Sequence, residues 1–503
     1  MDTGKDLSVP PTPADRDVPV PAGAGRGNHG LRRNTLGTSS IVFYIIAAAS
    51  PLTVVIALFP IMIGAGNGVG LSGAFVLAAA ILLLFAVGYV AMSRHITNAG
   101  AFYAYVTLGL GRPFGLGSAS LAIWAYNAIQ VGLYGGFGYY AADLTHSATG
   151  VNVPWWLFAL AAMAACLALG VHGVHTGARV LGVLMSCETI MIIVLSGAIC
   201  VDLVRSGTAV TFEPFSPTTT VSAGLGISLM FAHASFIGFE GSAIYGEEAR
   251  DPRRTVPRAT YVAVVFMGLL YAVASWLVVN AVGPQSVVGV AQKESGDFIF
   301  AVSNTILGSW ATGIFHILIL TAIFAAIVTF HNNVARYLFS LGRQNVLWSA
   351  LGHTRRAKQT PYVACIVQTG IAALVVGAFA VFGLDPFATL FTWMTGVGAI
   401  GVILSQTIAS LAIFVYFRRT RVDRRLWHTL VAPVLATAGL LTLLYLTLDS
   451  LDVLLGVGGW AAFAFVALTF LSLLAGIAGG LLLRRRSPDK YHRLRAALTE
   501  TVV

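Results

Sequence analysis

Residues 235–260 read SFIGFEGSAIYGEEARDPRRTVPRAT. An apolar run carries Gly238, Phe239, Glu240 and Gly241 at its middle, and a basic loop bounded by Pro252 and Pro257 follows. Glycine weakens a helix interior, and a helix interrupted there frees backbone amides and carbonyls that something polar must satisfy. A carboxylate in the same turn is costly at membrane depth. The segment therefore predicts a broken membrane helix around an ionisable group.

The rest of the chain fits a bilayer. Over 503 residues it is 57% hydrophobic and only 10% charged, with mean hydropathy +0.82, too apolar for a soluble protein of this size. A spanning helix needs about 20 mainly apolar residues. Twelve such stretches are expected, near 38–63, 70–93, 116–143, 154–173, 178–202, 223–246, 258–283, 303–341, 361–384, 386–417, 428–449 and 457–483. The eighth is too long for one simple crossing and is expected to include a short surface helix before the span. Net charge is +10, yet the basic residues do not form a nucleic-acid surface. With the N-terminus inside, only Arg205 and Lys293 fall outside the cytoplasmic segments, which is the positive-inside pattern and puts both termini in the cytoplasm. Residues 1–37 lack an apolar run and read as a disordered cytoplasmic tail, and 485–503 as a C-terminal tail. Cys166, Cys187, Cys200 and Cys365 have unrelated spacings and read as packing residues rather than a metal or disulfide set.

The first stretch is also interrupted, at Ala49, Ser50, Pro51, Leu52 and Thr53, where proline removes a backbone donor and clashes with the preceding turn. The breaks thus fall in the first and sixth stretches, five crossings apart. An odd number of spans per unit makes the second unit enter the membrane in the opposite sense. This predicts an all-α inverted repeat of helices 1–5 (about 38–205) and 6–10 (about 223–417), with helices 11–12 (about 428–484) added. Paired broken helices are how secondary transporters build a substrate site.

Several runs resemble the amino acid, polyamine and organocation transporter superfamily. They are GFEGSAIYGEEARDPRRTVPRA (238–259), NAGAFYAYVTLGLGRPFG (98–115), RYLFSLGRQNVLWSALGHTRRAKQTPYVA (336–364) and YFRR (416–419), in the family's order. The resemblance implies a LeuT-like fold and secondary transport of amino acids or related amines without nucleotide hydrolysis. It also implies a substrate between the unwound middles of helices 1 and 6, here Ala49 to Val54 and Ser235 to Glu240. The substrate carboxylate would face amides of the first break and its amine the carbonyls of the second. His233, Phe236, Tyr126 and Asn127 are expected neighbours, beside Ser235, Ile237 and Gly238. The sequence departs from the family in two places. Ala-Ser-Pro-Leu-Thr replaces a glycine-rich segment in helix 1, and aligning GVHTGARVLGVLMSCET (173–189) puts Glu188 where some proton-coupled relatives carry a buried lysine.

Among 20 acidic residues, only Glu188 and Glu240 lie well inside the stretches. An ionised carboxylate without a partner in a low-dielectric site is penalised, so such a group can carry a proton. Glu240 is the first candidate for coupling and Glu188 the second; both acids favour a substrate with a positive amine. In the basic loop, Arg253, Arg254 and Arg258 can pair with Glu247 and Glu248 as a latch. His316 and His331 read as packed or hydrogen-bonded helix residues. No metal-spaced cluster, nucleophile elbow or phosphate loop is present in the sequence, so neither a cofactor nor an enzyme is expected. The reading is a multi-pass plasma-membrane importer driven by protons, whose partners are a small amine substrate, protons and lipid. An exchanger or a polyamine transporter of the same fold remains open, as do a channel and a substrate-sensing receptor, sodium coupling and the oligomeric state.

Overall fold

A computed structural model of the chain describes residues 37–95, 101–172, 177–240, 249–354, 360–455, 460–488 and 491. Residues 1–36, 489–490 and 492–503 lie outside these residues, as do Gly241 and the expected latch partners Glu247 and Glu248. Regular structure among the described residues is helical. In chain order the main helices are α1 (Thr38–Ala49), α2 (Pro51–Gly64), α3 (Leu71–Ser93), α4 (Ala101–Leu110), α5 (Arg112–Thr149), α6 (Trp155–His172), α7 (Gly177–Ser206) and α8 (Leu225–Ala234). They continue with α9 (Pro252–Val282), α10 (Val287–Glu294), α11 (Phe298–Ile306), α12 (Ser309–Arg343), α13 (Tyr362–Val381), α14 (Pro386–Thr420), α15 (Trp427–Asp449) and α16 (Trp460–Arg486).

Nine helices among the described residues are long and apolar enough to cross a membrane. The other three expected stretches differ for physical reasons. The first is cut at Ser50 into α1 and α2, and the sixth ends at Ala234 after ten residues. The third lies in α5, whose 38 residues include Gly, Tyr, Asn and Gln that lower its hydropathy. The long eighth stretch resolves into the short α11 and the 35-residue α12. Cys166 and Cys365 are buried, whereas Cys187 and Cys200 are exposed on α7. Packing therefore accounts for only two of the four thiols, because the other two lie on the outward side of their helix.

The helix α5 is the spine of the fold, packed against α4, α12, α14 and α16. Its contact with α14 depends on glycine from both sides. A Cβ on Gly132 would lie 3.0 Å from the Phe391 carbonyl oxygen, and one on Gly398 would lie 2.7 Å from that of Ala125. Close backbone approach brings Ile129 and Leu133 of α5 up to Phe391 and Thr395 of α14, which together form one wall of the cavity described next.

Candidate functional site

The first break is a single residue. Ser50 adopts a left-handed conformation, φ 48° and ψ 69°, between the end of α1 and Pro51 at the start of α2. A non-glycine residue there costs about 1–2 kcal/mol, and Pro51 is suited to a helix's first turn because its missing N–H would have no intrahelical acceptor. The turn is held by its own hydroxyls. Ser50 Oγ donates to Ala322 O of α12 at 3.3 Å and lies 2.8 Å from Thr53 Oγ1. Just beyond, Val54–Leu58 is π-helical, with the Phe59 N–H reaching back to Val54 O. Pro60 lacks a donor for the ordinary ladder, which accounts for the widened turn.

The second break follows Ala234. Residues 235–240 run on in tight turns, with Phe236, Ile237 and Phe239 N–H groups each bonding three residues back. Gly238 takes φ 115°, a conformation that side chains oppose. This places Glu240 back over the turn. One carboxylate oxygen accepts the Gly238 N–H at 2.9 Å and the other accepts the Tyr126 hydroxyl of α5 at 2.7 Å. The Glu240 backbone carbonyl accepts from Tyr89 of α3 at 2.9 Å. Glu240 is buried, and among the described residues no Lys, Arg or His pairs with it. Its surroundings are aromatic: the Tyr126 ring lies 6.3 Å from Tyr337, and Phe239 packs 5.9 Å from Tyr89.

Between the two breaks lies a cavity of about 70 Å³. A single water needs roughly 10–15 Å³ of such space, so a small solute fits. Ala49, Ser50, Thr53, Val54 and Leu58 line it from the first break, and Phe231, Ala234, Ser235 and Ile237 from the second. The remaining walls are Ile129 and Leu133 of α5, Ala326 and Phe330 of α12, and Phe391 and Thr395 of α14. Every lining side chain except Ala234 is buried. Among the described residues, the only polar lining side chains are the hydroxyls of Ser50, Thr53, Ser235 and Thr395.

Of the expected site residues, Ala49, Ser50, Thr53, Ser235 and Ile237 thus face the cavity. Pro51 and Leu52 are buried in the break but do not line it. His233 turns to Gln406 of α14, with Nε2 2.5 Å from Oε1, and Phe236 packs 5.9 Å from Tyr271 of α9. Tyr126 and Gly238 are engaged with Glu240, while the buried Asn127 Oδ1 has no hydrogen-bond partner among the described residues. Glu188 is buried on α7, which packs against both α9 and the start of α2. No described residue hydrogen-bonds to its carboxyl, and it is within electrostatic reach of Tyr271. Tyr271 in turn directs its hydroxyl at Ser235 O, 3.5 Å away. Sequence reasoning did not single out Thr395, Phe391, Ile129, Leu133, Phe330 or Tyr271. A hydroxyl in the glycine-bearing TWMTGVGAIG run was the one available signal, for Thr395.

A second polar cluster involves the end of α5 and the turn before α11. His316 Nε2 is 3.2 Å from Asp143 Oδ2, its Nδ1 is 2.9 Å from Thr312 O, and its ring stacks 3.8 Å from Phe300. Both ring nitrogens face acceptors, which suits an imidazolium. Nearby, Tyr139 donates to Asp297 Oδ2 at 3.2 Å. In the basic loop, Arg254 pairs loosely with Asp251 at 3.8 Å, both well exposed.

Comparisons with known proteins agree on the kind of chain this is. It is 23% identical over 463 residues to the low-affinity putrescine importer PlaP of Escherichia coli K12, covering 87% of this chain and 93% of that one. It is 23% identical over 397 residues to the branched-chain amino acid permease BcaP of Bacillus subtilis, covering 76% and 81%. BcaP of Lactococcus lactis is 24% identical over 390 residues, 71% of this chain and 76% of its own. The family model described as Amino acid permease matches residues 36–448, which spans both breaks and every wall of the cavity, and the chain belongs to the amino acid permease family.

Proposed function

We propose that this protein is a secondary active transporter that imports an amino acid or related amine across the plasma membrane by alternating access, coupled to protons. The observation that carries the reading is the pair of helix breaks facing each other across one buried cavity. The half-helix that begins after Ser50 presents the positive end of its dipole at the first break, and α8 ends at Ala234 with the negative end of its own at the second. An α-carboxylate and an α-amine find opposite partners there. Twelve crossings, arranged as two inverted five-helix repeats plus two helices with both termini cytoplasmic, give such a site two symmetry-related exits.

Glu240 ties the second break to α5 through Tyr126. Hydrogen bonds to an ionised carboxylate are stronger than those to a neutral carboxyl, so a proton taken up by Glu240 loosens the tie and links proton binding to movement of the break. Glu188 adds a second buried carboxyl, on a helix that packs against the first break. Among the relatives are a putrescine importer and branched-chain amino acid permeases, which places both amines and amino acids within the class to be tested.

The test is uptake of labelled amino acids and amines into proteoliposomes, in sodium-free buffer, with and without an inside-alkaline pH gradient. Accumulation driven by the gradient is expected. Exchange with preloaded substrate but no accumulation would remove proton coupling and make the protein an exchanger or a sodium-dependent carrier.

A further inference from the structure

Resting on the transporter reading, we infer that the cavity selects amino acids with small or medium apolar side chains and discriminates against diamines and lysine-like substrates. The inference comes from what the walls contain and lack. Ser50, Thr53, Ser235 and Thr395 supply neutral hydroxyls only, and among the described residues no Asp, Glu, Lys, Arg or His lines the space. Charge recognition is therefore confined to the two breaks, where backbone dipoles of opposite sign lie side by side. That arrangement matches the adjacent carboxylate and ammonium of an α-amino acid and has nothing to offer a second, distant ammonium.

The rest of the surface is aliphatic and aromatic, including Leu133, Phe330 and Phe391. An apolar side chain is removed from water against it at no polar cost. A second ammonium would be stripped of water without a counter-charge, a penalty larger than attraction to ring faces returns. Glu240 does not relieve this: it does not line the cavity, and its two oxygens already accept from Tyr126 and Gly238.

The experiment is competition for counterflow in proteoliposomes of the full-length protein, with leucine, isoleucine, valine and alanine set against lysine, putrescine and spermidine. Thermal stabilisation by the same compounds is measured in detergent. Apolar amino acids are expected to compete at concentrations roughly tenfold or more below those of lysine and putrescine. Equal or better competition by putrescine or lysine overturns the selectivity while leaving transport standing. If no compound is transported and none stabilises the protein, the transporter reading fails and the selectivity falls with it. Ala326→Leu locates the side-chain lobe: leucine and isoleucine should lose more apparent affinity than alanine, and equal losses would put the side chain elsewhere.

Discussion

The Tyr126 hydroxyl lies 2.7 Å from Glu240 Oε1, so the spine helix α5 holds the carboxylate of the second helix break directly. If this contact couples protonation to the break, Tyr126→Phe should shift the pH profile of uptake and lower stability by about 1–3 kcal/mol. Glu240→Gln should flatten the profile, and in the double variant the two effects should be less than additive. Uptake with an unchanged pH profile in both single variants would take the pair out of the coupling mechanism.

Glu188 has no hydrogen-bonding partner among the described residues, and the neutral glutamine replaces it without burying a charge. Glu188→Gln should preserve exchange between preloaded and external substrate while reducing gradient-driven accumulation. Tyr271→Phe, which removes the link to Ser235, should move in the same direction but less. Full accumulation in Glu188→Gln would mean that this carboxyl only packs.

Asp297, in the turn before α11, offers a test by pH. Burial first, and then the nearby Asp143 carboxylate, push its carboxyl up from the usual value, with Tyr139 and His316 opposing and Glu294 reinforcing the shift. A raised folded-state value means that the folded protein resists ionisation there. The stability contribution is most favourable below the unfolded value of about 3.9 and is lost as pH rises through the folded value. Asp297→Asn keeps an acceptor for Tyr139 and should raise the melting temperature at pH 7 by roughly 1–2 °C, with the difference vanishing below about pH 4. A variant that is less stable at both pH values would show that the carboxylate is needed as such.

The α5 and α14 contact predicts a packing defect. Gly398→Leu forces side-chain atoms into the Ala125 carbonyl and Ile129, and overpacking of this kind costs about 1–3 kcal/mol. Gly377, whose added Cβ would meet nothing within 4 Å, serves as the control. Size-exclusion profiles and melting temperatures of the two leucine variants should separate clearly. Similar behaviour would mean that the helices can part without loss.

Much of this architecture was written in local chemistry. Hydropathy marked the spans because a bilayer interior admits only helices with satisfied backbones. Pro51 and Gly238 marked both breaks because one lacks a donor and the other tolerates positive φ. Their neighbours Ala49, Ser50, Thr53, Ser235 and Ile237 followed as cavity residues, since the break itself carries them there. His233, Phe236 and Tyr126 were also adjacent in sequence to the break or plausible beside it, but each is turned to a partner elsewhere: Gln406 and Tyr271 on other helices, and Glu240 in the second break itself. Nothing local encodes that rotation.

The sequence by itself determined a helical membrane protein with two interrupted helices and two carboxyls at depth, because composition, proline and glycine act on the residues around them. Only the tertiary structure decided which side chains meet. The α5 and α14 wall depends on glycines more than 250 positions apart approaching backbone to backbone. Glu240 finds Tyr126 across 114 residues of chain. Such contacts are fixed by how helices stack, and stacking is a property of the whole bundle rather than of any segment.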